Sequence, residues 1–201
     1  MKFVRTTLLV AAFAGVLAAP AGANELPAIW TGFYVGAHGG YGEANDEPAP
    51  FDVGGGLIGM HAGYNHQMGA MVLGVEGDYD WTYLEDTQTA GAARVTLDVD
   101  QLASIRARLG YAWGQALLYG TVGYAWGEAG TAGDFGGLLV SRSTDFDGLV
   151  AGGGLEYKFA PDWSARVEGL QYWLEPDSSQ DVDDLDVTVV RAGVSWHFNT
   201  R

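Results

Sequence analysis

Eight stretches between residues 31 and 198 alternate apolar and polar side chains with a period of two, and nothing else in the chain constrains its fold as tightly. Such alternation is the mark of a β-strand whose two faces meet different surroundings. The third stretch, about Ala70–Tyr83, separates most sharply. Met71, Leu73, Val75, Tyr79 and Trp81 share one parity, and Glu76, Asp78 and Asp80 share the other. The remaining stretches run about Thr31–Gly42, Gly56–His66, Val95–Tyr111, Ala116–Gly127, Phe146–Lys158, Asp162–Leu174 and Asp186–Phe198. In the fourth, Val95, Leu97, Val99, Ile105, Ala107 and Leu109 are expected on one face, and Asp98, Asp100, Ser104, Arg106 and Arg108 on the other. In the seventh, Gln171 interrupts the apolar side.

The connections decide how these strands assemble. They are short after strands two, four and six, around His66–Gly69, Trp113–Gln115 and Phe159–Asp162. After strands one, three, five and seven they are long, around Glu43–Gly55, Leu84–Arg94, Glu128–Asp145 and Glu175–Leu185. Tight turns at one rim and long loops at the other, on an even number of antiparallel strands, describe a transmembrane β-barrel of the outer-membrane type. Closure leaves no unpaired strand edge in lipid. The expectation is therefore all-β: an eight-stranded antiparallel barrel over residues 31–198, with short periplasmic turns and long extracellular loops.

The aromatic residues test that orientation independently. A lower belt would hold Phe33, Tyr64, Tyr111, Trp113, Tyr157, Trp163, Trp196 and Phe198. An upper belt would hold Tyr41, Tyr79, Trp81, Tyr124, Trp126 and Trp173. Amphipathic rings favour the two membrane–water interfaces, and a soluble sandwich has no reason to sort them so.

The N-terminus agrees on compartment. Lys2 and Arg5, the apolar run Leu8–Ala19 and the small residues Ala21, Gly22 and Ala23 read as a secretory signal cleaved after Ala23. Residues 24–30 are then a short lead, and residues 199–201 a C-terminal extension beyond Phe198. The whole chain carries a formal charge of −15, and losing Lys2 and Arg5 with the signal takes it to −17. Nucleic acid is excluded as a partner, because binding it requires a basic face that displaces counterions. Glycine is frequent, at 31 of 201 residues. In strands it marks close backbone approach, which a narrow barrel demands.

All basic residues of the inferred wall (Arg106, Arg108, Lys158, Arg166 and Arg191) fall on the inward parity, with Glu76, Asp78, Asp80, Glu156 and Glu168. Facing lipid at the bilayer midplane, an Arg or Lys would cost about 2–4 kcal/mol. Buried charges need partners, so an interior ion-pair network is expected, acting either as a polar plug or as an ion path. Eight strands enclose a space just wide enough for side chains, which favours the plug.

Other constellations carry less. Gly54-Gly55-Gly56-Leu57-Ile58-Gly59 spells a dinucleotide motif, but an acidic loop precedes it and a strand follows. Asp181, Asp183, Asp184 and Asp186 form an acidic cluster that reads first as a solvated, flexible loop and next as a weak divalent-ion site bridging to lipopolysaccharide; the glycine and terminal glutamate of an EF-hand are missing. His38 and His61, inward on adjacent strands, are the pair that a metal or haem iron would use, although such residues more often join an interior hydrogen-bond network. Ser195 and His197 invite a hydrolase reading, but parity places no acid beside them and no catalytic set assembles.

Several motifs together resemble a known family. Trp30-Thr31-Gly32-Phe33-Tyr34-Val35-Gly36, Gly74-Val75-Glu76-Gly77-Asp78-Tyr79 and Ile105-Arg106-Ala107-Arg108-Leu109-Gly110-Tyr111 are similar to the small outer-membrane barrel surface antigens of alphaproteobacteria, the porin family. Leu118-Tyr119-Gly120-Thr121-Val122-Gly123-Tyr124-Ala125 and Val190-Arg191-Ala192-Gly193-Val194 extend the likeness across the mature chain. The resemblance implies a non-enzymatic surface protein of the cell outer membrane that supports envelope integrity. A narrow porin or haemin-binding receptor is the alternative. Implied partners are outer-membrane lipid and lipopolysaccharide, the barrel-assembly machinery, and peptidoglycan or host surfaces; no cofactor is implied.

Overall fold

The computed structural model describes residues 28–45, 52–90, 93–135, 139–176 and 185–198. Eight strands run β1 (Gly32–Asn45), β2 (Asp52–Met68), β3 (Met71–Ala90), β4 (Ala93–Trp113), β5 (Ala116–Phe135), β6 (Leu139–Ala160), β7 (Trp163–Pro176) and β8 (Leu185–Phe198). Each pairs antiparallel with its sequence neighbours, and β1 pairs with β8 to close the barrel. Among the described residues there is no helix.

The lower rim is built from two-residue turns. Gly69 and Gly114 adopt φ of 61° and 65°. With positive φ only at the first central residue, both are type II′ hairpins, whose twist matches that of the flanking strands. Pro161 and Asp162 make the third turn, beside a register shift between Lys158 and Ala160.

At the opposite rim the strands run further than the alternation indicates. Much of Leu84–Arg94 and Glu128–Asp145 is hairpin: β3 and β4 stay paired to Ala90↔Ala93, and β5 and β6 to Asp134↔Leu139. Two bulges precede these extensions, between Trp81 and Leu84 and between Val99 and Gln101. An extra residue on one strand shifts the alternation of faces. The register of β4 against β5 therefore shifts between Val99 and Gln101, and the regular alternation does not carry across that point.

The outer face is apolar. Val35, Met60, Val75, Ile105, Val122, Leu149, Val167 and Val190 are all exposed to the surroundings of the barrel. In water such a band would drive aggregation. Rings bracket it: Phe33 packs on Tyr64 and Trp196 on Phe198 below, Tyr79 on Trp81 and Tyr124 on Trp126 above. Gln171, the polar intruder, accepts a 2.7 Å hydrogen bond from the Thr188 hydroxyl on the neighbouring strand. Its amide is thus partly satisfied on the lipid side.

Candidate functional site

Inside, the barrel is layered. The middle layer holds the charges. Glu76 on β3 accepts from Arg106 at 2.6 Å, from Arg166 at 2.5 Å and from the Tyr34 hydroxyl at 2.8 Å. Arg191 on β8 reaches Glu168 through Nε at 2.9 Å, Asp78 at 2.7 Å and Asp80 at 3.0 Å. Arg106 also approaches Asp78 at 3.3 Å and Glu168 at 3.5 Å. Six strands contribute to this lattice when Arg108 and Glu156, which pair directly below it, are included. The Arg108 guanidinium lies 3.5 Å from the Tyr119 ring centroid. Lys158 stands apart, donating to the Pro161 carbonyl at 3.4 Å and lying over the Trp30 ring.

Among the described residues, the ten inward charged side chains named from the sequence are all buried. Acidic and basic members are equal in number, so this interior is formally neutral while the chain as a whole is strongly acidic. The excess negative charge therefore lies outside the packed interior. The narrow space is made by glycine: a Cβ at Gly59 would stand 2.3 Å from an Asp80 carboxylate oxygen and 2.5 Å from His38 Nε2.

His38 and His61 do meet. Their rings stack at 5.3 Å and their Nδ1 atoms lie 3.1 Å apart. His38 Nε2 contacts Asp80, and His61 Nε2 lies 2.8 Å from Ser195 Oγ. With both rings neutral, the Ser195 hydroxyl donates to His61, His61 to His38, and His38 to the Asp80 carboxylate. Parity alone placed no acid in line with Ser195; the structure brings one there through two imidazoles. His197 belongs to a separate group, 2.8 Å from Ser164 Oγ and 3.3 Å from Glu156. His38, Asp78 and Asp80 also present ligand atoms close enough for one ion. Arg191 Nη1 already occupies that space, 3.2 Å from His38 Nε2, and supplies the positive charge itself.

Above the charges lies an apolar layer that the alternation did not reveal. Leu57, Leu102, Val150, Leu170, Tyr172, Leu174, Val187 and Val189 point inward from both halves of the barrel and pack with Phe146 and Ala125. The available signal was adjacent apolar residues, as in Leu57-Ile58, Leu149-Val150 and Val189-Val190, which make both faces of a strand apolar. Below the charges, Trp30 from the lead before β1 is fully buried with Val72, Ala112, Leu117 and Tyr119. Its backbone N–H donates to Gln67 at 3.0 Å and its indole to the Gly114 carbonyl at 3.3 Å. Asp186 is an exposed residue of β8, whereas Asp181, Asp183 and Asp184, the signal segment and residues 199–201 lie outside the described residues.

A closed barrel, greasy outside between aromatic belts and ionic within, is a membrane-spanning protein of the bacterial outer membrane. The chain belongs to the outer membrane protein beta-barrel domain family, which matches residues 9–198. It is 32% identical to a 22 kDa outer membrane protein of Rhizobium leguminosarum bv. viciae over 177 residues, covering 84% of this chain and 78% of the relative. A 25 kDa outer-membrane immunogenic protein of Brucella abortus is 29% identical over 186 residues, covering 84% and 79%. The attachment invasion locus protein of Yersinia pestis shares the fold, with a TM-score of 0.51 at 18% identity over 84% of this chain and 99% of that one. It has also been solved with the heparin analogue sucrose octasulfate.

Proposed function

We propose that this barrel is a non-conducting, non-catalytic wall element of the outer membrane, with an acidic surface turned outward. The layered interior carries the reading. An ion-pair lattice sits between an apolar layer above and the Trp30 cap below, so among the described residues the interior is filled from the cap to the apolar layer. A narrow pore would need a continuous polar path, and haemin would need a slot beside His38 and His61 that Arg191, Asp80 and Ser195 now fill. The Ser195–His61–His38–Asp80 chain is sealed in the same way, which supports a stiffening role over hydrolysis.

The outer face anchors the protein among lipids after the signal is removed and the assembly machinery has folded it. The extracellular acids hydrate the surface and, with Asp181, Asp183, Asp184 and Asp186, bridge weakly through divalent ions to lipopolysaccharide. Contacts with peptidoglycan or host surfaces would fall to the rims. Such a surface is unlike one that takes a polyanion. Planar-bilayer recording tests the reading: purified protein should insert without stepwise currents, and repeatable single-channel steps would overturn it.

A further inference from the structure

On the lipid-facing side of the upper belt, register places a small residue between two large rings. Ala103 on β4 pairs with Tyr79 on β3 and with Trp126 on β5. The gap over Ala103 is a cleft of about 530 Å³ whose upper edge carries Gln101, Glu128, Asp145 and Asp147. That edge is organised by hydrogen bonds. The Tyr79 hydroxyl donates to the Gln101 carbonyl oxygen, the Gln101 amide donates to Glu128 at 2.7 Å, and the Tyr124 hydroxyl donates to Asp147. Among the described residues, no basic side chain lines the cleft.

We propose that this cleft seats the amine-bearing headgroup of an outer-leaflet lipid. Three features of the site point there together. Aromatic faces attract an ammonium group through their quadrupole. The carboxylates at the edge add Coulomb attraction for a cation and repel a bare phosphate. The cleft also sits where interfacial aromatics meet the headgroups, so the acyl chains would continue down the apolar wall over Ile105 and Val75. An acidic rim alone would attract any cation; the rings flanking one alanine select an ammonium carried on a lipid.

Native mass spectrometry of the folded full-length mature protein, loaded with equal phosphatidylethanolamine and phosphatidylglycerol of matched chains, tests this directly. The wild type should retain the amine lipid about fivefold over the glycerol lipid, the scale of one or two partly exposed cation–π contacts. Phosphatidylcholine should behave like phosphatidylethanolamine. Ala103→Leu, which fills the cleft without changing charge, and the double variant Glu128→Gln/Asp147→Asn should each bring the ratio close to one. Heat-modifiable gel mobility verifies that both variants are folded, and neither touches the interior lattice. Equal retention by the wild type would overturn the proposal, as would a preference surviving in both variants. Retention of phosphatidylglycerol that appears only with added Mg²⁺ would also overturn it, by showing a cation bridge instead.

Discussion

The middle and upper layers of the interior fill the same cylinder by opposite means. In the middle, Glu76 alone is contacted by Arg106, Arg166 and Tyr34, and Arg191 spans Asp78, Asp80 and Glu168. Each charge there is tolerable only because its partners are present. In the upper layer Leu57, Leu102, Leu170 and Leu174 need only neighbours of suitable volume. The charged layer is therefore specific and brittle, and the apolar layer is permissive and graded.

The largest expected effect comes from breaking one member of the lattice. Glu76→Ala, which removes the nearest carboxylate from both Arg106 and Arg166, should lower unfolding stability by about 3–5 kcal/mol, measured by urea denaturation in lipid vesicles. An effect under about 1 kcal/mol would mean that water, not ion pairs, occupies the middle. Trp30→Ala opens the lower seal and should cost about 3 kcal/mol or more in the same assay, with the cavity it leaves beside Lys158 and Tyr119. Leu170→Ala in the upper layer should cost about 2–4 kcal/mol, while Leu170→Met should cost less than about 1.5. If the conservative swap is as harmful as truncation, the apolar layer is not permissive. The sharpest version of the comparison is a cycle on the lower ion pair. Arg108→Met combined with Glu156→Gln should be less destabilising than the sum of the single changes by about 1–3 kcal/mol. Least affected should be the lipid face, where Gln171→Leu with Thr188→Val should move stability by less than about 1 kcal/mol.

Much of this architecture was legible as pattern. Strand number, antiparallel order, both aromatic belts and the inward parity of Glu76, Arg106, Arg166 and Arg191 follow from a two-residue period and the alternation of short and long connections. Those are local properties, and local sterics set them. Three things were hidden. The bulges near Trp81 and Val99 leave no mark in composition. Trp30, in a lead segment before the first strand, gave no sign that it would fold back beneath the barrel. The upper apolar layer lay on a parity that looked polar when the strands were read for their charges.

The boundary between the two kinds of knowledge is physical. Alternation along one strand says which way each side chain points, because successive Cβ atoms must take opposite faces. It says nothing about height around a closed wall, which depends on the register of eight hairpins taken together. Only closure brought Arg191 on β8 to Asp80 on β3, or Ser195 to His61 on β2. Those partners lie 111 and 134 residues apart along the chain, and they face each other across a space that exists only once β1 has met β8.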